Sequence, residues 1–155
     1  DALTACAFPD SLLADPELRS EATGGLASRV SVHPGVRRAI YERQRQFATQ
    51  PGGAVLDGRD IGTVIAPEAE VKLFVVASVP ARAERRFKEM QAAGRSVSLA
   101  EIAADLERRD ARDRSRTEAP LMAASDAVLL DTSDLGPDEA IAAAIRIAEA
   151  SRQSS

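Results

Sequence analysis

Short apolar runs alternate along this chain with longer segments of helical periodicity, and no other pattern in it limits the possible folds so strongly. The predicted strands cover 54–57, 71–77 and 127–130, are rich in Val and Leu, and each leads into a polar turn. Strands of this kind that alternate with helices are typical of a parallel sheet with helices on both faces. The sequence therefore predicts an α/β fold that binds its ligands at the carboxyl ends of the strands.

Proline and capping residues predict where the helices begin. Asp15 followed by Pro16, and Pro34 after a loop, mark the first two starts. A third helix is expected over 80–93, a capping box of Ser98 and Glu101 opens the fourth, and Pro137 opens the last. Apolar residues at helical spacing should face inward, namely Val36, Ile40, Phe47, Leu99, Ile102, Leu106, Ile141, Ile145 and Ala148.

Composition excludes several classes of protein. The 155 residues are 45% hydrophobic, which is enough to build one compact domain. A net charge of -4 and 3% aromatic residues without Trp disfavour a polynucleotide-binding surface, which needs clustered cations and stacking rings. The apolar runs are too short for a membrane span, and the first residues lack the order of a signal peptide. Because Cys6 is the single cysteine, we expect no internal disulfide and a cytoplasmic location.

The turn after the first predicted strand concentrates charge. The run Asp57-Gly58-Arg59-Asp60-Ile61-Gly62-Thr63-Val64 places two carboxylates and a guanidinium on a segment that glycines allow to bend. Arg59 can hold a phosphate with two parallel hydrogen bonds, and a carboxylate can orient Mg²⁺-bound water or accept an amino proton. A salt-bridged surface turn would contain the same residues, and the spacing is compatible with both interpretations.

Two groups of arginines are also candidates for ligand binding. Arg109, Asp113 and Arg116 recur at i, i+4 and i+7, so one helix face would present a carboxylate between two guanidinium groups. A solvated face with weak ion pairs is the alternative. Arg82, Arg85 and Arg86 lie in the first turns of a helix, where the dipole disfavours cations, and this hints at a charged ligand. A chance surface triple remains the alternative for these three.

No other motif in the sequence indicates a catalytic or transition-metal site. His33 precedes Pro34 with no catalytic pattern around it, and its expected role is that of a loop or capping residue. The chain has no His or Cys cluster for a transition metal and no G-x-S-x-G motif, so covalent catalysis is not indicated.

In this order, the motifs resemble the bacterial cytidylate kinase family. The runs DGRDIGTV from Asp57 and R-D-x-x-D-R-x-R-x-x-A-P-L from Arg109 are each specific, and the similarity covers nearly all of the chain after about Leu18. Further matching segments are Ala27 to Val30, Pro34 to Arg37, Gln44-Arg45, Val71 to Phe74, Arg82 to Arg86, and Asp131-Thr132-Ser133.

The resemblance implies a role for each candidate residue. It implies that Ser28, Arg37 and Asp60 read cytosine, that Arg59 and Arg116 bind the phosphate of the monophosphate, and that Arg109 and Asp113 hold its sugar. Arg82, Arg85 and Arg86 resemble lid arginines that neutralise the transferring phosphoryl group, and which of the three does so stays open. The implied reaction is in-line transfer from ATP to CMP or dCMP, with Mg²⁺ accompanying ATP and Asp57 near the ion through water.

The chain also departs from the family. Members begin with a strand and a G-x-x-x-x-G-K-[ST] loop that grips the ATP phosphates, and no such run occurs here. The resemblance therefore implies an incomplete P-loop kinase-like domain over 1–155, which lacks the P-loop strand and the next strand and exposes apolar sheet edges. Within it, about 15–50 would form a helical CMP-binding insert and 51–155 a C-terminal core with a short lid segment.

Activity and partners follow as expectations from the same resemblance. The expected partners are ATP and CMP or dCMP, with no polynucleotide and no membrane, and a monomer is expected. The chain by itself is expected to be inactive. A non-catalytic module that binds pyrimidine nucleotides is the alternative from another class, and a kinase for UMP or AMP is a second enzyme alternative. An Arg-rich interaction domain is a third.

Overall fold

Helices and strands follow the predicted order along the chain, with the exception of the strand expected at 54–57. The structure is a computed structural model that describes residues 4, 6–115 and 120–153. Two 3-10 turns, Asp10–Ala14 and Pro16–Arg19, precede the first α-helix. The further elements are α1 (Glu21–Val30), α2 (Pro34–Ala48), β1 (Leu73–Val76), α3 (Val79–Ala92), α4 (Leu99–Arg114), β2 (Val128–Asp131) and α5 (Pro137–Gln153).

A parallel pair of strands confirms the predicted α/β class. Leu73 lies opposite Val128 and Val76 lies opposite Asp131, and both strands run in the same direction. Helices α3 and α4 connect the two strands, because parallel neighbours require a crossover. The carboxyl ends are joined beyond the sheet, where the Ser78 amide donates to Ser133 Oγ at 2.8 Å. The sequence therefore predicted the direction of this sheet correctly.

The first predicted strand is wrong. Residues 54–57 form no strand, and Val55 is 95% exposed. A strand needs a hydrogen-bonded neighbour, and within the described residues β1 and β2 pair only with each other. The apolar exposure expected at the sheet is present, since Val75 is 57% and Leu129 64% exposed.

Local capping explains where the helices begin. At Asp15 the carboxylate accepts from the Glu17 amide at 2.9 Å, but this start opens only one 3-10 turn. The α-helix begins after Ser20 instead. Both halves of the predicted capping box are present, because the Glu101 amide donates to Ser98 Oγ at 3.2 Å and the Ser98 amide donates to Glu101 Oε2 at 3.0 Å.

The hydrophobic core of the C-terminal part lies between α3 and α4. Ala83, Met90 and Ile102 form its buried centre, and Leu106 packs against them. The predicted inward face of α4 is thus confirmed for Ile102 and Leu106. It is wrong for Leu99, which is 43% exposed because it lies in the first turn of the helix.

Two other helices present apolar faces that are not packed into a core. Within α2 no residue is buried, Phe47 is 51% exposed, and Val36 and Ile40 line a cleft. On α5, Ile141 and Ile145 were predicted to face inward but are also exposed, at 58% and 51%. No helix in the described part of the chain has both the length and the apolar character that a membrane span requires.

Candidate functional site

A cleft of about 910 Å³ lies between α1, α2, the charged turn after 54–57 and the C-terminal part of α4. Helices α1 and α2 contribute mostly apolar and uncharged polar side chains together with Arg37 and Arg38, whereas 57–60 and α4 contribute mainly charged ones. Six of the predicted site residues line it together with Asp57: Ser28, Arg37, Arg59, Asp60, Arg109 and Asp113. The fold therefore gathers into one space residues that lie up to 85 positions apart (113 − 28).

A π-helical turn aims the charged segment at the cleft. Residues Ile61–Ile65 form it, and the amides of Val64 and Ile65 donate to the Asp60 carbonyl at 2.9 and 3.2 Å. Ile65 is buried and anchors the end of the turn. Single π-helical turns are frequent at functional sites, where they redirect the chain. Here the turn holds Arg59 and Asp60 at the rim of the cleft.

An ion pair joins α2 to this turn. Arg37 Nη2 donates to Asp60 Oδ2, and the two side chains are only 18% and 12% exposed. A charge pair that is largely removed from water is stable only when its partners are well oriented and the remaining hydrogen-bonding capacity is used. The free carboxylate oxygen and the other guanidinium donors can meet that need by binding the edge of a polar, uncharged ring.

Ser28 adds an unused hydroxyl to the same cleft. Its side chain is buried, at 5% exposure, and its Oγ has no hydrogen-bond partner among the described residues. Buried polar atoms in native proteins are nearly always paired, so an unpaired one calls for an explanation. A ligand that enters the cleft would supply the partner.

A second charge pair lies opposite, between the turn and α4. Arg59 Nε donates to Asp113 Oδ2 at 2.9 Å, and Asp113 is 2% exposed whereas Arg59 is 42% exposed. The carboxylate therefore fixes one edge of the Arg59 guanidinium, while other donors remain accessible to a ligand. Such a guanidinium is suited to binding a phosphate with two hydrogen bonds.

Arg109 makes this part of the cleft more positive. Burial lowers the pKa of its guanidinium, and repulsion from Arg59 lowers it further, while Asp113 opposes the shift. Its Nε is buried without a hydrogen-bond partner among the described residues. A methyl group on Gly24 would lie 3.7 Å from Arg109 Nη1, so α1 approaches this guanidinium closely. With Arg59, Arg109 and Asp113 together, the local charge is +1, which favours an anionic ligand.

The three arginines of α3 do not line the cleft. Arg82 donates to both carboxylate oxygens of Asp110, at 3.0 and 2.6 Å. This fork raises the pKa of Arg82 and lowers the pKa of Asp110. Arg85 donates to the carbonyls of Thr132 and Leu135 in the loop after β2.

The third arginine of α3, Arg86, is near enough to Arg109 in the cleft to contribute to the lowering of the pKa of that guanidinium. The structure thus separates residues that the sequence predicted as one group.

Arg116 and Asp57 are the remaining residues that the sequence predicted for the site. Arg116 lies outside the described residues, so its predicted place on the phosphate stays a prediction. Asp57 lines the cleft. Within the described ranges no three His, Cys, Asp or Glu side chains are grouped so that they would hold a metal ion.

Several residues around the site were given no role there from the sequence. Tyr41 and Gln44 line the cleft on α2, one and two turns beyond Arg37. Their spacing of i+4 and i+7 was a signal that could have placed them on the same face. Asp110 was noted only as part of a charged run. Its bond to Arg82 connects two helices, and no pattern local to either helix encodes it.

These features define a class of protein: an α/β protein whose charged cleft suits a small ligand that carries both a polar ring and an anionic group. The cytidylate kinase family profile matches residues 7–150, and the chain belongs to that family. The match covers the whole cleft with the exception of Cys6.

Curated relatives agree with the family match. The chain is 54% identical over 142 residues to a cytidylate kinase of Caulobacter sp. (strain K31), which covers 92% of this chain and 66% of the relative. It is 58% identical over 139 residues to a cytidylate kinase of Azorhizobium caulinodans, and this match covers 89% of this chain and 68% of the relative. A cytidylate kinase of Rhodopseudomonas palustris (strain TIE-1) is 56% identical over 138 residues, and this match covers 89% of this chain and 65% of the relative. The chain thus spans about two thirds of the length of the curated relatives it matches.

Proposed function

We propose that the complete gene product containing this chain transfers the γ-phosphoryl group of ATP to CMP or dCMP, giving CDP or dCDP. Family membership makes a phosphotransferase acting on nucleotides the expected class. The observation that carries the choice of substrate is the Arg37–Asp60 pair, which lies in the same cleft as Arg59, Arg109 and Asp113. One end of the cleft is suited to a base and the other to a phosphorylated sugar.

The base end matches cytosine in its donors and acceptors. The ring offers an amino donor and two acceptors, so the carboxylate of Asp60 would accept the amino proton while Arg37 donates to an acceptor. The Ser28 hydroxyl would complete the set. Uracil replaces the amino donor by an acceptor and the ring acceptor by a donor, which would leave buried groups unpaired and disfavour binding. A kinase for UMP is therefore disfavoured. A kinase for AMP is disfavoured as well, because adenine presents an edge of a different shape.

The phosphate end would hold the acceptor in line with the donor. Arg59 and Arg116 would bind the monophosphate, while Arg109 and Asp113 hold the sugar. In phosphoryl transfer, positioning and neutralisation of charge supply nearly all of the catalysis. Two guanidinium forks from separate elements would fix the rotation of the phosphate as well as its charge.

The donor end is proposed on the family relationship. ATP would enter with Mg²⁺ as its co-substrate ion, with Asp57 reaching the ion only through water. Among the arginines of α3, Arg86 lies near Arg109 of the cleft. Arg82 and Arg85 are bonded to Asp110 and to the loop after β2, and they would have to exchange these bonds to reach the transferring phosphoryl group. We propose further that 15–50 forms the CMP-binding insert and 51–155 the core with a short lid, in a cytoplasmic monomer.

A coupled assay of ADP release by the complete gene product tests the proposal. With CMP and dCMP we expect turnover at a kcat/KM at least about 10-fold above the values for UMP and AMP, because a mismatched ring leaves buried groups unpaired. Equal kcat/KM values for CMP and UMP would contradict the base-reading role of Arg37 and Asp60.

A non-catalytic module that binds pyrimidine nucleotides is the second candidate. It is favoured by one observation, that the cleft forms within 155 residues that contain no G-x-x-x-x-G-K-[ST] run. Such a module would be stabilised by CMP and would release no ADP. The same assay, run beside a CMP-dependent thermal melt, therefore separates the two candidates.

A further inference from the structure

We propose that Arg45, which lies outside the cleft, is a positioning residue that sets the discrimination between cytosine and uracil by holding the turn that carries Asp60. This inference rests on the proposed function. Arg45 is on α2, eight positions beyond Arg37, and is absent from the described residues that line the cleft. Its effect on the base would have to pass through the backbone of the turn.

The contact that carries the proposal is a hydrogen bond to the backbone. Arg45 Nη1 donates to the Ile65 carbonyl at 2.6 Å, and the same nitrogen lies 2.5 Å from Glu68 Oε1. Ile65 is 2% exposed and ends the π-helical turn that starts after Asp60. Arg45 therefore binds a fixed point of the turn in addition to the exposed side chain of Glu68.

Helix α2 holds the turn at both ends. Arg37 binds Asp60 at its beginning and Arg45 binds Ile65 at its end. Eight helical residues separate the two arginines by about 12 Å along the axis. A single bridge would let the turn rotate about it, whereas two bridges at this distance fix its orientation. The Asp60 carboxylate is thereby aimed at one place in the cleft.

The turn itself is stiff enough to pass this constraint on. The amides of Val64 and Ile65 both donate to the Asp60 carbonyl, and the Ala66 amide donates to the Ile61 carbonyl at 2.7 Å. A displacement at Ile65 therefore moves Asp60 as well. Specificity built on paired hydrogen bonds is sensitive to such a displacement, because a shift of about 1 Å in a positioned group can change a rate by up to about 100-fold.

The opposite side of the turn is supported by Lys72. Its ammonium group donates to the Pro67 carbonyl and to Asp126 Oδ2, both at 2.5 Å. A methyl group on Gly62 would lie 3.3 Å from Lys72 Cδ, so the stem of the lysine packs closely beneath the turn. Arg45 thus acts against a firm support, and loss of its bond would leave the Ile65 end of the turn without this contact to α2.

Four forms of the complete gene product test the proposal: wild type, Asp60→Asn, Arg45→Met and Glu68→Gln. The readout is the ratio of kcat/KM for CMP to that for UMP, with the KM for ATP and a thermal melt as companions. Glu68→Gln is the matched control, because it removes the charge of the exposed partner of Arg45 and leaves the bond to Ile65 available.

We expect Asp60→Asn to reduce the ratio by at least about 10-fold and Arg45→Met by about 3- to 30-fold, with Glu68→Gln at the wild-type ratio and the KM for ATP within about 2-fold throughout. A wild-type ratio in Asp60→Asn would overturn the base-reading role on which the proposal rests. A reduced ratio in Asp60→Asn with a wild-type ratio in Arg45→Met would overturn the positioning role alone. Equal losses in Arg45→Met and Glu68→Gln would also overturn it. Should Arg45→Met not fold, Arg45→Gln, whose side chain is too short to reach Ile65, replaces it with the same outcomes.

Discussion

Arg37 on α2 and Asp60 in the turn after 54–57 form an ion pair in the cleft, from positions 23 residues apart. Both side chains are largely shielded from water, at 18% and 12% exposure. A buried pair of this kind is weak evidence for stability, because desolvation offsets much of the attraction between the charges. Its presence in the cleft is better explained by ligand recognition.

Ser28 provides a prediction in which function and stability separate. We expect Ser28→Ala to weaken CMP binding by about 3- to 10-fold, which is the effect of one hydrogen bond. The free energy of unfolding without ligand should stay the same or rise, because the deleted Oγ is buried without a partner among the described residues. Calorimetry with CMP and urea unfolding measure the two effects.

Thr49→Ala is the control for that experiment, since its hydroxyl donates to the Arg45 carbonyl at the exposed end of α2. It should leave CMP binding unchanged. A Ser28→Ala protein that binds CMP like the wild type would remove Ser28 from the site.

The guanidinium of Arg59 is expected to act through its shape as well as its charge. Arg59→Lys keeps the charge but cannot bond Asp113 and a phosphate as a fork, so kcat/KM for CMP should fall by about 10- to 1000-fold. The same range is expected for Arg116→Lys. Because Arg59 is 42% exposed, the melting temperature should change little. Wild-type kinetics in both variants would end the phosphate-binding interpretation.

The bond between Arg82 and Asp110 predicts a pH-dependent contribution to stability. Arg82 lowers the pKa of Asp110 from its ordinary value of 3.8, so this contribution is present above pH 3.8 and is lost as the pH falls through the lower pKa of the folded state. Asp110→Asn should therefore reduce the free energy of unfolding by about 1–2 kcal/mol at pH 7, and by less at pH 3.

Urea unfolding at the two pH values measures this difference. Asp105→Asn is the matched control on the same helix, because Asp105 pairs with Arg108 at an exposed site. It should have no measurable effect at either pH. An Asp110→Asn penalty that is equal at pH 7 and pH 3 would mean that the carboxylate charge does not stabilise the contact between α3 and α4.

The absence of a G-x-x-x-x-G-K-[ST] run from the 155 residues predicts how they behave alone. We expect the isolated chain to release no ADP in a coupled assay, since the amides and lysine of that loop grip the ATP phosphates. The same chain extended by a segment that contains the loop should be active. Turnover by the isolated chain at the rate of the extended form would refute this prediction.

The sequence predicted most of the charged residues that line the cleft but not how they are held. Arg109 and Asp113 were placed on one helix face by their spacing, and the charged run from Asp57 was identified by its composition. The ion pair between Arg37 and Asp60 depends on how α2 meets the turn, which no local period encodes.

The fold shows the same division between local and long-range information. The capping box at Ser98 was predictable because it involves four consecutive residues. The strand predicted at 54–57 was wrong, because its apolar residues satisfy a strand pattern while pairing depends on a neighbour elsewhere. The exposed face of α5 has the same cause, since periodicity shows which side is apolar and not what covers it.

Equilibrium binding of CMP and UMP to the complete gene product, measured by calorimetry for the wild type and Asp60→Asn, tests the central claim most directly. The account predicts that the wild type binds CMP at least about 10-fold more tightly than UMP, and that Asp60→Asn loses most of this difference while still binding ATP normally. Equal affinities for CMP and UMP in the wild type, or an unchanged preference in Asp60→Asn, would contradict it.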